Sequence, residues 1–345
     1  MKSKRMESSS RHRPARTHPA LLPLSAFLLL FLISQGFDFN ARAQQEPQDD
    51  EIVRVATDLV VLNVTATGAD NQYVHGLERT NFKVYEDGQE QQITNFSREE
   101  TPFAAALLLD VSGSMEGRIS MARSAAIRFL DGLRAEDTAA VYSFHSKVEQ
   151  VQDFSQSRDL SPLAYNLDAK GQTALHDAIV QAATDLSNRP EKRRAIVVLS
   201  DGADTRSAAS SDKALAAALA VNATIYTVDM AETRTGTNNL SLAAGVLREY
   251  AAKSGGRFVP TPGGKALRDA FGEILEELSN QYTIGYRPTN RLQDGRWRSI
   301  EVKVNRPEVK ARTRRGYRLM KKAKSKGVAR GTEFGDTRHL RTESL

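Results

Sequence analysis

Phe103 to Met115 reads FAAALLLDVSGSM. An unbroken apolar run stops at Asp110, and Ser112, Gly113 and Ser114 follow at once. A short apolar run bounded by turn residues reads as a strand buried on both faces, as in a parallel sheet. Its carboxyl end delivers one carboxylate and two hydroxyls into a tight loop, and open α/β sheets bind ligands at the carboxyl ends of their strands. Oxygen-only donors suit a hard divalent cation such as Mg2+, Mn2+ or Ca2+.

Outward from this stretch, strands and helices alternate from Ala104 to Asn280. Ala122, Ala125, Ala126, Phe129, Leu130 and Leu133 trace one apolar helix face after the Asp110 loop. Thr138–Phe144 and Lys147–Gln152 read as strands joined about His145-Ser146, and Leu175, Ala178, Ile179, Ala182 and Leu186 mark the next helix. Ala195–Ser200 is a second fully apolar strand, and it too ends in a carboxylate, Asp201-Gly202. Helices are expected around Ala214–Leu219 and Leu247–Ala252, with strands at Thr224–Val228 and Arg257–Val259. A last helical stripe runs through Leu267, Phe271, Ile274 and Leu278. Such alternation predicts an α/β fold: a doubly wound, mostly parallel, Rossmann-like sheet with helices on both faces.

The flanks have a period of two. Val60, Leu62, Val64 and Ala66 share one face of a strand expected from Ile52 to Ala66, and Glu86-Asp87-Gly88 turns a second strand into a third through Ile93. After Asn280, Tyr282, Ile284 and Tyr286 alternate, Asp294-Gly295 supplies a turn, and Ile300, Val302 and Val304 alternate again. Neither flank has enough strands to stand alone. The expectation is one small all-β, sandwich-like domain built from both flanks, 52–100 and 281–318, with the α/β domain, 101–280, inserted between them.

The two ends carry the excess charge. Met1–Ala43 has seven Lys and Arg against two Asp and Glu, and Lys321–Leu345 has seven against three. The whole chain is +6, so the body from Gln44 to Met320 is −3 and gives no ground for nucleic-acid binding. Basic residues from Lys2 to Arg16, an apolar run from Ala20 to Ile33 and Ala41-Arg42-Ala43 have the form of an export signal over 1–43. Cleavage there would leave no transmembrane span and place the chain in the periplasm, the cell envelope or outside the cell. An uncleaved anchor is the alternative. With no cysteine there is no disulfide framework or thiol nucleophile. Residues 44–51 and 319–345 read as a polar lead-in and a basic disordered tail, whose Lys321–Lys326 run touches anionic lipid or cell-wall polymer, or is merely solvated.

Three loops at strand ends carry candidate ligands: Asp110 to Ser114, Gly171 to Leu175, and Ser200 to Gly202. Loops at one edge of a parallel sheet converge, which would bring Asp110, Ser112, Ser114, Thr173 and Asp201 around one cation. Taken singly, each loop reads as a helix cap or a turn before it reads as a metal site. His145 and His176 are weaker candidates, Asp204 reads as a cap, and the sequons at Asn63 and Asn222 fall on expected strands.

Asp110-x-Ser112-x-Ser114, then Thr173, then Asp201, resembles the metal-ion-dependent adhesion site of the von Willebrand factor type A domain, over roughly Ala104 to Asn280. The flanks TDLVVLNVTATGADNQYVHGL and QYTIGYRP are similar to those of a group of exported bacterial proteins with this domain. The resemblance implies that the hydroxyls of Ser112, Ser114 and Thr173 approach a divalent cation, that Asp110 and Asp201 bind it directly or through water, and that a partner's carboxylate completes the coordination. A cation held largely by hydroxyls stays electrophilic, in keeping with that role.

The reading is therefore a non-enzymatic binding module for an acidic protein or ligand. A structural role in an envelope assembly, with the metal used for stability, is the alternative. A metal-dependent hydrolase is disfavoured: there is no G-x-S-x-G, H-E-x-x-H or Walker A loop, and Ser112 stands where an aspartyl phosphoryl-transfer site carries its second Asp.

Overall fold

A computed structural model of the chain describes residues 59–98, 101–166, 169, 171–231, 242–260, 264–292 and 294–318. The segments read as export signal, lead-in, the opening of the first strand (52–58) and basic tail lie outside these residues. Four strands come first: β1 (Val60–Thr67), β2 (Phe82–Glu86), β3 (Gln89–Gln91) and β4 (Ile93–Ser97). The α/β part follows as β5 (Phe103–Asp110), α1 (Ile119–Asp131), β6 (Thr138–Phe144), β7 (Val148–Ser155), α2 (Leu175–Ser187), β8 (Arg193–Ser200), α3 (Ser211–Ala220), β9 (Ala223–Asp229), α4 (Leu242–Ser254), β10 (Phe258–Pro260) and α5 (Gly264–Ser279). The chain returns to strands with β11 (Gln281–Tyr286), β12 (Trp297–Val304), β13 (Lys310–Arg312) and β14 (Gly316–Arg318).

The central sheet has the order β10-β9-β8-β5-β6-β7. All its pairings are parallel except β6 with β7. Every residue of β5 is buried, because helices cover both faces. Phe103, Ala105, Leu107 and Leu109 pack in the core shared with α1 and α5, while Ala104, Ala106 and Leu108 pack in that of α2, α3 and α4. The strand order reverses between β5 and β8, so their carboxyl ends flank the crevice where open α/β sheets place ligands.

The flanks fold together, as the period-two pattern requires. One antiparallel sheet runs β13-β1-β11-β4 and the other β14-β12-β2-β3, each mixing strands from both sides of the α/β part. Leu62, Val64, Phe82, Val84, Tyr282 and Ile284 lie in their shared core. Phe82, Phe96 and Tyr282 cluster there, with ring centroids 5.2 to 6.0 Å apart. The fold is thus the doubly wound α/β sheet with a small β domain built from N- and C-terminal strands. Details differ from the sequence reading. α4 starts five residues before its expected apolar stripe, at Leu242, and β13 and β14 had no apolar signal.

The β domain meets the α/β part at the amino ends of the parallel strands, through polar groups. Glu277, buried in the last turn of α5, accepts hydrogen bonds from Tyr226 Oη (2.9 Å) and Thr65 Oγ1 (3.3 Å). Its other oxygen pairs with Arg312 at 2.5 Å and Arg257 at 3.4 Å. Arg312 also donates to the carbonyls of Gly255 and Gly256, and buried Arg314 donates to that of Leu219. One carboxylate therefore ties α5, β9, β1 and β13 together. Glu277→Ala leaves Arg312 without its counter-charge, while Arg257 keeps Glu273 at 2.6 Å, and is expected to cost about 3 kcal/mol, measured by urea unfolding. A loss under about 1 kcal/mol would show the cluster to be no more than a surface ion pair.

Candidate functional site

Asp110 ends β5 with no exposure to solvent. One of its oxygens accepts from the Ser112 amide at 2.9 Å, and the other accepts from Ser200 Oγ at 2.5 Å. Ser200 ends β8, and its hydroxyl also accepts from the Gly202 amide at 3.0 Å. A single hydroxyl thus couples the Asp110 loop to the Asp201 loop. Ser112 Oγ and Ser114 Oγ lie 3.1 Å apart. Ser112 is buried and Ser114 exposed, so this loop grades from interior to solvent.

The middle loop joins both others. The carbonyl of Gly171 accepts from the Gly113 amide (3.1 Å), and the amide of Thr173 donates to Thr205 Oγ1 (3.0 Å). The Thr173 carbonyl accepts from the amides of Thr205 and Arg206. Gly171 has φ +74°, and a Cβ there would meet Ser146 Oγ at 2.7 Å, so this turn needs glycine. Gly202, at φ +79°, is tighter still: a Cβ would come within 2.5 Å of the Ala243 carbonyl at the start of α4.

The structure brings all three predicted loops to the crevice between β5 and β8. Asp110, Ser112 and Ser114 share one turn, Asp201 lies close enough to raise the Asp110 pKa, and Thr173 sits in the loop bonded to both. The two histidines are engaged elsewhere. His145 Nδ1 accepts from the Ser146 amide at 2.7 Å and its carbonyl from Ala174, while His176 Nδ1 is 2.8 Å from Tyr250 Oη. Asp204 is a cap, as expected, but across loops: it accepts from the amides of His176 and Ser207 and from Ser207 Oγ.

Two residues at the site went unnoticed in the sequence. Ser200 carries no motif of its own. Asp229, by contrast, ends the apolar strand β9, the same signal that marked Asp110 and Asp201. It is half-buried, and burial and then Asp201 push its carboxyl above the usual range against hydrogen bonding by Ala231. Arg118 binds the neighbouring Met230 carbonyl at 2.9 Å, which links the first loop to the end of β9.

The candidate donors from the sequence are two carboxylates and three hydroxyls. Among the described residues no three His, Cys, Asp or Glu side chains are grouped to hold a metal, so any cation here rests on hydroxyl ligands as well. The charge balance fits one. Burial, with Asp201 adding to it, pushes Asp110 up from 3.8 to about 6 despite the hydrogen bonds from Ser112 and Ser200. The protein thus holds a carboxylate at a place that disfavours its ionised form, which a small hard cation would reverse.

Residues 105–203 match the sequence profile of the von Willebrand factor type A domain. Over these residues the chain is similar to that family. Solved structures resemble it weakly. The PilB minor pilin of Streptococcus sanguinis has 14% identity and a TM-score of 0.42, covering 52% of this chain. The chain spans 62% of that pilin's length. A von Willebrand factor type A protein of Catenulispora acidiphila has 11% identity and a TM-score of 0.42, with 71% of this chain and 76% of that one covered. An aerotolerance-related membrane protein of Bacteroides fragilis has 16% identity and a TM-score of 0.41, with 51% and 99% covered. Comparison with curated proteins gives no match.

The buried charge has a consequence for stability. Below the unfolded pKa, near 3.8, Asp110 is neutral in both states and costs nothing. As pH rises through about 6 the folded carboxylate must ionise in its buried place, and stability falls. In chelator-treated protein Asp110→Asn is expected to raise stability near pH 7.5 by an amount on the order of 2 kcal/mol, a gain that vanishes toward about pH 4. Thermal melts of both proteins across this range check it, and an equal stability at neutral pH would overturn it.

Proposed function

We propose that Asp110, Ser112, Ser114, Thr173 and Asp201 hold one divalent cation, Mg2+ or else Mn2+ or Ca2+, and that the chain is a binding module rather than an enzyme. The observation that supports this most is the buried Asp110 carboxylate beside Asp201, with three hydroxyls in the loops that hydrogen-bond around it. The bound ion would supply an electrophilic centre, and a carboxylate from an acidic protein or other acidic ligand fits the remaining side. Ser114 is exposed and Asp201 partly so, which leaves that side open to a partner.

The division of labour follows. Residues 101–280 form the metal-binding domain, and 52–100 with 281–318 form the β domain that supports it from the opposite end. The export signal over 1–43 places this module outside the cytoplasm, in the periplasm, the envelope or the medium. Among the described residues no helix is long and apolar enough to cross a membrane. The uncompensated charge of Asp110 also supports a stabilising role for the ion, so the stability reading and the binding reading share one site.

Calorimetric titration of Mg2+ and Mn2+ into chelator-stripped protein tests the site, with Asp110→Ala alongside. Binding by the wild type, lost in Asp110→Ala while circular dichroism shows the fold intact, is expected. No heat and no thermal stabilisation of the wild type by either ion would overturn the proposal. Partner capture that survives chelation would overturn the carboxylate bridge alone.

A further inference from the structure

Thr173 is held through its backbone alone. Its amide donates to Thr205 Oγ1 (3.0 Å), and its carbonyl accepts from the amides of Thr205 and Arg206, both at 3.0 Å. The residue is buried, yet its hydroxyl makes no hydrogen bond among the described residues. The other hydroxyls at the crevice are engaged: Ser112 Oγ lies 3.1 Å from Ser114 Oγ, and Ser200 Oγ donates to Asp110. The fold thus fixes the Thr173 backbone from both sides and leaves its hydroxyl uncommitted. In a buried residue that calls for a partner from outside the chain.

The segment that carries Thr205 is itself braced. α2 has Ala174 at its N-cap, and an alanine has no side-chain oxygen for the first helical amides. The caps come from residues 204–207 instead. Asp204 Oδ2 accepts from the His176 amide and Ser207 Oγ from the Asp177 amide, both at 3.0 Å. Asp177 answers in the other direction, its two oxygens accepting from the amides of Ala208 and Ala209 at 2.9 Å. Residues 204–209 and the first turn of α2 therefore clasp each other, which joins the loop after Asp201 to the loop of Thr173. Within this clasp Thr205 is the side chain that reaches the candidate ligand. We propose, on the reading that Thr173 and Asp201 share one cation, that Thr205 is a positioning residue. Through the Thr173 amide it sets where the Thr173 hydroxyl stands relative to the Asp201 loop. Groups that hold a metal ligand from behind fix its orientation, and losing one weakens metal binding by about 10- to 100-fold.

Thr205→Val removes the accepting oxygen with little change of shape, and Thr205→Ser keeps it. In the full chain without metal, hydrogen exchange at the Thr173 amide should quicken in Thr205→Val and stay at the wild-type rate in Thr205→Ser. Calorimetric titration should show Mg2+ bound about tenfold more weakly by Thr205→Val, with Thr205→Ser near the wild type. Asp177→Ala releases Ala208 and Ala209 but leaves the Thr205 bond, so it should lower stability to urea without moving the Mg2+ affinity. Thr205→Ala serves if Thr205→Val fails to fold by circular dichroism. A wild type that binds Mg2+ and a Thr205→Val variant of equal affinity would overturn the positioning role and leave the metal site standing. Affinity that falls in step with stability in both Thr205→Val and Asp177→Ala would overturn it too, and reduce the clasp to a structural brace. No Mg2+ binding by the wild type would overturn the metal reading and this role together.

Discussion

A carboxylate placed where the fold has least water is the constraint on which the rest of the architecture turns. Asp110 lies at the carboxyl end of β5, the first strand of the α/β part and an inner strand of its sheet, beside the point between β5 and β8 where the strand order reverses. To reach that point β5 must be buried on both faces, so it is apolar throughout and small at Ala104, Ala105 and Ala106, where helices close in. The ionised form then survives only through what surrounds it: an amide from Ser112 and a hydroxyl from Ser200. Burial outweighs both, as the upward shift of its pKa shows. Each of the three loops is in turn pinned to its neighbour, by Gly113 to Gly171, Thr173 to Thr205 and Ser200 to Asp110. Such cross-bonding matters because a ligand set drawn from separate loops is only as well placed as the least fixed of them.

Much of this was legible in the residues because parallel strands buried on both faces leave a strong mark. FAAALLLD and AIVVLS read as strands at sight, and the polar residue that stops each run is the residue that meets the crevice. The helices were legible from their stripes where they lie against the sheet along their length, as α5 does through Leu267, Phe271, Ile274 and Leu278. α4 was legible only in part. Its first turn carries Leu242, which is almost fully exposed, so no apolar period announces it. β13 and β14 were hidden for a related reason. Their residues, Lys310–Arg312 and Gly316–Arg318, are held by backbone pairing to β1 and β12 and by the guanidinium of Arg312, and each gives the core only one apolar side chain, Ala311 and Tyr317, too few to make a period. The pairing of Val64 with Tyr282 likewise depends on a partner more than two hundred residues away, which periodicity alone does not identify. At the site, the three loops and their order were readable, whereas the bond from Ser200 to Asp110 was not, because a serine at the end of a strand does not name its partner until its neighbour in space is known.

The joint between the two parts is of another kind from either core. Each core is apolar, but the contact between them runs through Glu277, Arg312, Arg314, Gln281 and Tyr226. Ionic and hydrogen-bonded contacts are directional, so they fix the angle at which the β domain leaves the α/β part more sharply than apolar packing would. They also place it at the amino ends of the parallel strands, opposite the crevice. The loops that hold Asp110, Thr173 and Asp201 therefore face outward without obstruction from the rest of the described chain.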